Sequence, residues 1–249
     1  DDCVEDESGA ILDFNEVIRL NPEFLFAYYC RTSPNYDLEN YEAVIADCDF
    51  YIERDSTYAP IYAQRGVAKS ILGEYAEAEK DLKKAIQLDP NDSYPRIQLS
   101  ISYSAQEKHV EASQILTAYL KENPDDVEVI YQSASTHFLG GMFEESIKEL
   151  DFLIERDSSD SGAYYLRALA QEGAGDMEGA CADMSRPARA QFEDSKEFVL
   201  TKCKDYVDSA EVESLEHFYN AGGYVMMGDF YSAIGELEIA IALDPTNKL

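Results

Sequence analysis

Three histidines, five cysteines and fifty carboxylates are the residues of this 249-residue chain that could do chemistry, and their spacing decides what kind. His109, His137 and His217 stand far apart, with no His-x-x-x-His pair, no Ser-His-Asp order and no glycine loop shaped to cradle phosphate. Metal-assisted and nucleophilic catalysis therefore have no local signature. With so many acidic side chains, neighbouring carboxylates arise by chance and say nothing of paired acid–base work, and no twelve-residue calcium loop is found. The chain is expected not to be an enzyme and to need no cofactor or metal. The cysteines lack zinc spacing. Cys181 and Cys203 lie at similar distances on either side of a turn expected near Gln191–Asp194. Antiparallel helices meeting there would bring the two sulfurs level, either as a disulfide or as two small buried apolar side chains.

Fifty acidic against twenty basic residues leave a formal charge of −30. Such a field repels a phosphate backbone, so nucleic acid is excluded as a partner. Apolar residues at 45% are enough to build a core. No apolar run approaches the roughly 18 residues that span a bilayer, and no basic-then-apolar signal segment opens the chain. The sequence starts Asp1-Asp2-Cys3 without Met, so a processed or trimmed product is expected. It reads as a soluble protein of the cytoplasm or of a bacterial periplasm and cell envelope; the cysteine usage fits either.

What would position these residues is a repeat. Tyr41, Tyr75, His109, Phe143 and Met177 are spaced by 34, and so are Pro22, Ser56, Pro90, Pro124 and Ser158. Between them run amphipathic helical patterns: Ala78, Leu82, Ala85 and Ile86 share one face of Tyr75–Leu88. An earlier helical stretch in each unit, such as Ile61–Leu72 or Val129–Leu139, is closed by Gly73 or by Gly140 and Gly141. Small residues recur where two helices would cross: Gly66, Ser100, Ala134 and Ala168 in the first helix, and Ala78, Ala112, Ser146 and Ala180 in the second. A lone pair cannot bury its apolar stripe, so neighbours must stack.

This pattern resembles the tetratricopeptide repeat family, most closely in residues 59–92, where Tyr62, Gly66, Tyr75, Ala78, Leu82, Ala85 and Pro90 all fit. The segment from Gly175 to Asp183, followed by Lys202 and Cys203, is similar to a Bacteroides-type variant of the repeat. The resemblance implies an all-α, right-handed superhelical solenoid of antiparallel helix pairs, one continuous domain over residues 1–249. The expected units are a lone second helix (1–24), an irregular repeat (25–58), repeats at 59–92, 93–126 and 127–160, a repeat with a broken second helix (161–192), an inserted helix (193–213) and a last repeat (214–249). Pro34 should shorten the first helix of 25–58, and Pro187 should stop or kink the second helix of 161–192 near Ser185.

In this family the first helices line a concave groove that receives a peptide. At one register of those helices stand Tyr29, Ala63, Ile97, Tyr131, Tyr165 and Phe218, with Gln64, Gln98 and Gln132 beside them. Rings offer stacking area and amides offer donors and acceptors for a peptide backbone; the same rings at helical spacing are equally at home in a core. The Lys, Asn and Arg positions with which relatives clamp a chaperone's carboxylate tail read Tyr29, Ser33, Ala63, Val67, Gln98, Glu128 and Gln132 here, so that ligand is disfavoured. The expected function is non-catalytic recognition of a protein or peptide. A basic partner suits the charge, although acidic residues also belong to any solvated face. The alternative is a structural subunit that joins an assembly through its convex face, or through apolar ends (Ile11, Phe14, Val17 and Ile18; Ile234, Leu237 and Ile241) that would also permit self-association.

Overall fold

The computed structural model describes residues 7–189, 193–206 and 209–243, and every regular element among them is an α-helix. Two compact units divide the chain, Asp1–Pro124 and Asp125–Leu249. The first holds α1 (Glu7–Leu20), α2 (Leu25–Asp37), α3 (Tyr41–Arg54), α4 (Ala59–Ile71), α5 (Tyr75–Leu88), α6 (Tyr94–Ser104) and α7 (His109–Leu120). The second holds α8 (Val127–Leu139), α9 (Phe143–Arg156), α10 (Ser161–Ala174), α11 (Met177–Arg189), α12 (Glu193–Lys202), α13 (Ser209–Met226) and α14 (Phe230–Leu243). Helices pair as α2/α3, α4/α5 and α6/α7 in the first unit and as α8/α9, α10/α11 and α13/α14 in the second, with α1 packed on α2 and α12 on α11.

The crossings fall where the small residues are. Ser100, Ala134, Ala168, Ala78, Ala112, Ser146 and Ala180 are all fully buried. A methyl group on Gly66 would come within 2.7 Å of Leu82 Cγ, so nothing larger than hydrogen fits that crossing. The turn inside each pair needs one residue with positive φ, at Glu39, Gly73, Glu107, Gly141, Gly175 and Gly228, again one repeat apart until the last step. Glycine meets that need without strain, and two units meet it with glutamate.

Two helices run on through the prolines expected to interrupt them. α2 runs through Pro34 over 13 residues, the same length as α4 and α8, and the pair over 25–58 is regular. Pro34 lies in the last turn, where the missing N–H costs one bond. Leu38 N–H still donates to Pro34 O at 3.2 Å and Asn35 Nδ2 to Arg31 O at 3.0 Å. α11 likewise continues past Ser185 to Arg189, through Pro187, because losing one donor near a helix end does not end the helix. The turn expected at Gln191–Asp194 falls partly on residues outside those described, and α12 already begins at Glu193.

Three of the six helix pairs also carry a buried ionic clasp, at positions that the period of 34 repeats. In α10, Arg167 forks onto Asp183 of its partner helix α11, with Nε and an Nη donating at 2.6 and 2.7 Å. Its other Nη donates to Asp151 of the preceding helix α9 at 2.6 Å. Arg65 does the same with Asp81 and Asp49, and Arg31 with Asp47 and Asn15. Each guanidinium also lies over the tyrosine one turn earlier, Tyr164, Tyr62 or Tyr28. Asp183 and the Asp151 carboxylate hold Arg167 protonated against the cost of burial. In α6/α7 the corresponding positions are Leu99 and Ile115, both apolar. In α8/α9 they are Ser133 and Glu149, hydrogen-bonded at 2.6 Å.

The second unit is further closed by a disulfide between Cys181 and Cys203, Cα atoms 5.5 Å apart, which ties α11 to the residue after α12. Closing a loop of 22 residues stabilises a fold by about 3 kcal/mol.

Removing one partner of a clasp leaves an uncompensated buried charge, so Arg167→Leu should cost about 3 kcal/mol in urea unfolding. Adding Asp183→Ile, which copies the Leu99 and Ile115 arrangement, should recover most of that loss; a double variant no more stable than the single would refute the clasp. Alkylation in denaturant should label three of the five cysteines without reductant and all five with it, as read by mass.

Candidate functional site

Within each unit one register of the first helices carries the residues expected at the ligand face, and side-chain chemistry decides which of them remain accessible. In the first unit Ala63 and Ile97 are buried in the core, whereas Tyr29 is half-buried. In the second unit Tyr131 is 36% exposed and Tyr165 half-buried, but Phe218 is buried. Ile97 and Phe218, expected on the ligand face, are therefore core residues. An aliphatic chain or plain ring gains most by full burial, while a phenol keeps its hydroxyl at the surface. Gln64, Gln98 and Gln132 are half-buried, and Gln132 Nε2 donates to Thr136 Oγ1 at 3.5 Å.

The first unit's strip contains rings that the 34-residue register did not single out. Phe24 meets Phe26 edge-on at 6.4 Å, Phe26 meets Tyr29 at 5.9 Å, and Tyr29 meets Tyr58 at 5.3 Å, nearly perpendicular. Tyr58 stacks in turn on Tyr51 at 5.6 Å. Tyr58 lies just before α4, in the linker, which is why helical spacing missed it. Burial pushes the Tyr29 hydroxyl up to about 12, with Tyr58 adding to the effect. Tyr94 is shifted upward by burial too, with Tyr36 and Asp92 adding. The ring face is thus uncharged at neutral pH inside a strongly anionic protein.

In the second unit Gly162, in the first turn of α10, leaves room for the Tyr131 hydroxyl, which a Cβ there would approach to 3.2 Å. Burial, then Asp160, raises the Tyr131 pKa, and burial, then Asp194, raises that of Tyr165. Beyond them an open cleft of about 430 Å³ is walled by Phe138, Leu139, Phe143 and Leu169. Its floor is Gly173, where a Cβ would stand 2.5 Å from the Phe143 ring. Glu172 at its rim accepts from Lys202 Nζ at 2.5 Å.

Cations that could have served an anionic ligand are already used. Arg31, Arg65, Lys69 and Arg167 are all bound to internal carboxylates. A carboxylate tail would have to displace Asp47, Asp81 or Asp183. Glu149 accepts from Ser133 Oγ and lies 2.8 Å from His137 Nδ1, but the serine proton points to the carboxylate rather than to the imidazole, and Ser133 is fully buried. That is a structural triad, not a nucleophile. Among the described residues no group of three His, Cys, Asp or Glu is placed to hold a metal ion.

Antiparallel helix pairs in a 34-residue register define a helical-repeat protein. Residues 71–131 match the tetratricopeptide repeat family model, and the helix pairs on either side of that stretch keep the same fold. It is 34% identical over 80 residues to the TPR repeat-containing thioredoxin TDX of Arabidopsis thaliana, a match covering 32% of this chain and 21% of that one. Most of that relative's length lies outside the match. Two solved structures share the fold. The C-terminal part of a TPR repeat-containing protein from Cytophaga hutchinsonii has a TM-score of 0.65 at 18% identity, covering 97% of this chain and 92% of that one. YrrB, a TPR protein with an unusual peptide-binding site, has a TM-score of 0.55 at 20% identity, covering 72% and 93%.

Because the raised Tyr29 pKa belongs to the folded state, its contribution to stability is complete below pH 10 and is lost as pH climbs from 10 towards 12. Unfolding free energy should fall more steeply over that window for the parent chain than for Tyr29→Phe. Parallel curves would mean that Tyr29 titrates as an exposed phenol.

Proposed function

We propose that the chain is a non-catalytic interaction module whose first-helix strips receive a protein segment. The observation that carries this reading is the run of rings Phe24, Phe26, Tyr29 and Tyr58, partly open to solvent and free of charge in a chain of net charge −30. Phe26 and Tyr131 supply accessible ring area, and the half-buried Gln64, Gln98 and Gln132 supply amide groups for a segment's backbone. The surrounding carboxylates favour a segment with basic flanks, through encounter rate more than affinity. The peptide-binding site of YrrB, on a related fold, is in keeping with this use.

A second reading, a structural subunit joined to an assembly through its ends, is favoured by α1, which exposes Leu12, Val17 and Leu20.

Screening a random peptide library on the immobilised chain tests the first reading. Enriched peptides should carry aromatic or aliphatic anchors beside Lys or Arg. Phe26→Ala or Tyr131→Ala, both at exposed positions, should weaken their capture by about ten-fold, the worth of one buried ring contact. Capture unchanged by both substitutions would remove the strips as the binding face.

A further inference from the structure

In the second unit α9 packs directly on α10, the first helix of the pair that follows it. α11 packs instead on α12, and α12 in turn on α13. The pair α13/α14 is therefore joined to the pair α10/α11 by way of a ten-residue helix. The joint is apolar: Phe198 and Val199 of α12 share one buried cluster with Ala180, Cys181 and Met184 of α11 and Leu215 of α13. Lys202, in the last turn of α12, adds a surface ion pair with Glu172 of α10. Beside the joint an open cleft of about 230 Å³ lies between Lys204, just after α12, and Val212, Glu213 and Glu216 of α13, so the packing there is incomplete.

The disulfide sits at this joint. Cys181 lies within α11 and Cys203 directly follows α12, so the bond fastens the end of α12 from which the chain leaves for α13. A helix this short is marginal without such a tie, and a surface ion pair contributes little. Both cysteines are fully buried, yet they are unequally protected. Cys181 packs beneath α12, whereas Cys203 has exposed residues on both sides, Thr201 and Lys202 before it and Lys204, Asp205 and Tyr206 after it. Its own N–H donates to Val199 O at a long 3.3 Å. Opening of a last helical turn is among the least costly motions of a folded chain, and here it would bare Cys203 while leaving α11 in place.

We propose that Cys181–Cys203 is a thiol-exchange site: a dithiol reductant opens it in the folded chain, and opening releases α12 and uncouples the pair α13/α14 from α10/α11, while α8 to α11 stay folded. One thiol of the reductant loses its proton and attacks Cys203 Sγ; the S–S bond breaks, and Cys181 leaves as a thiolate that takes up a proton. The second thiol loses its proton and attacks the mixed disulfide, releasing Cys203, which is protonated in turn. The protein gains two electrons and two protons, and the reductant leaves as a disulfide. The exchange site is separate from the first-helix strips and independent of what they bind.

The probe is dithiothreitol added to the native chain without denaturant, with amide hydrogen exchange read by mass spectrometry. Reduction should speed exchange in α12 by at least about ten-fold, with α13 and α14 following, and leave α8, α9 and α10 little changed. Trypsin should cut after Lys202 and Lys204 faster by a similar factor, and reoxidation should restore both protections. The double variant Cys181→Ser/Cys203→Ser should show the fast exchange with or without dithiothreitol. A bond that dithiothreitol reduces only once denaturant has unfolded the chain would overturn the proposal, as would unchanged exchange in α12 after reduction. Equal acceleration in α8 to α10 would overturn it too, because the bond would then be a staple of the whole unit, not a joint within it.

Discussion

The constraint that sets register in three of the six helix pairs is a first-helix arginine held between side chains of two neighbouring helices. Arg65 reaches Asp81 ahead of it and Asp49 behind it, and Arg167 reaches Asp183 and Asp151. The planar guanidinium fork suits this because it offers donors in two directions at fixed angles, whereas a lysine is a single point charge. Burying such charges brings little net stability over well-packed apolar residues. What it fixes is register, since sliding a helix would leave a carboxylate dry and unpaired. The pair α6/α7 is consistent with this: both halves of the clasp are replaced together, by Leu99 and Ile115. Changing one alone would leave a buried charge without its partner.

The helix pairs and their crossings were legible in the sequence because they rest on size, and the positions of Gly66, Ala78, Ala134 and Ala168 admit only small side chains. The prolines misled because their cost depends on position within a helix. Pro34 removes one donor in a last turn and leaves α2 intact. The clasps were legible in principle, since Arg31, Arg65 and Arg167 share the register of the repeat, as do Asp47, Asp81 and Asp183. In a chain with fifty carboxylates, however, an acidic residue reads first as solvated surface. The candidate site was legible only in part. Spacing located Tyr29, Tyr131 and Tyr165 but could not separate a phenol that stays near the surface from Ile97 and Phe218, which do not. Tyr58, in a linker, carries no helical period at all.

The irregular stretch after α11 shows how the stacking rule accommodates a break in spacing. The offset from Met177 to Phe230 is longer than one repeat, yet the stripe of α11 is not left bare. α12 has only ten residues and a weakly segregated sequence, but Phe198 and Val199 cover Cys181 and Met184. The disulfide from Cys181 to Cys203 then restrains the short helix where propensity alone would hold it poorly, because isolated helices of this length are marginal in water.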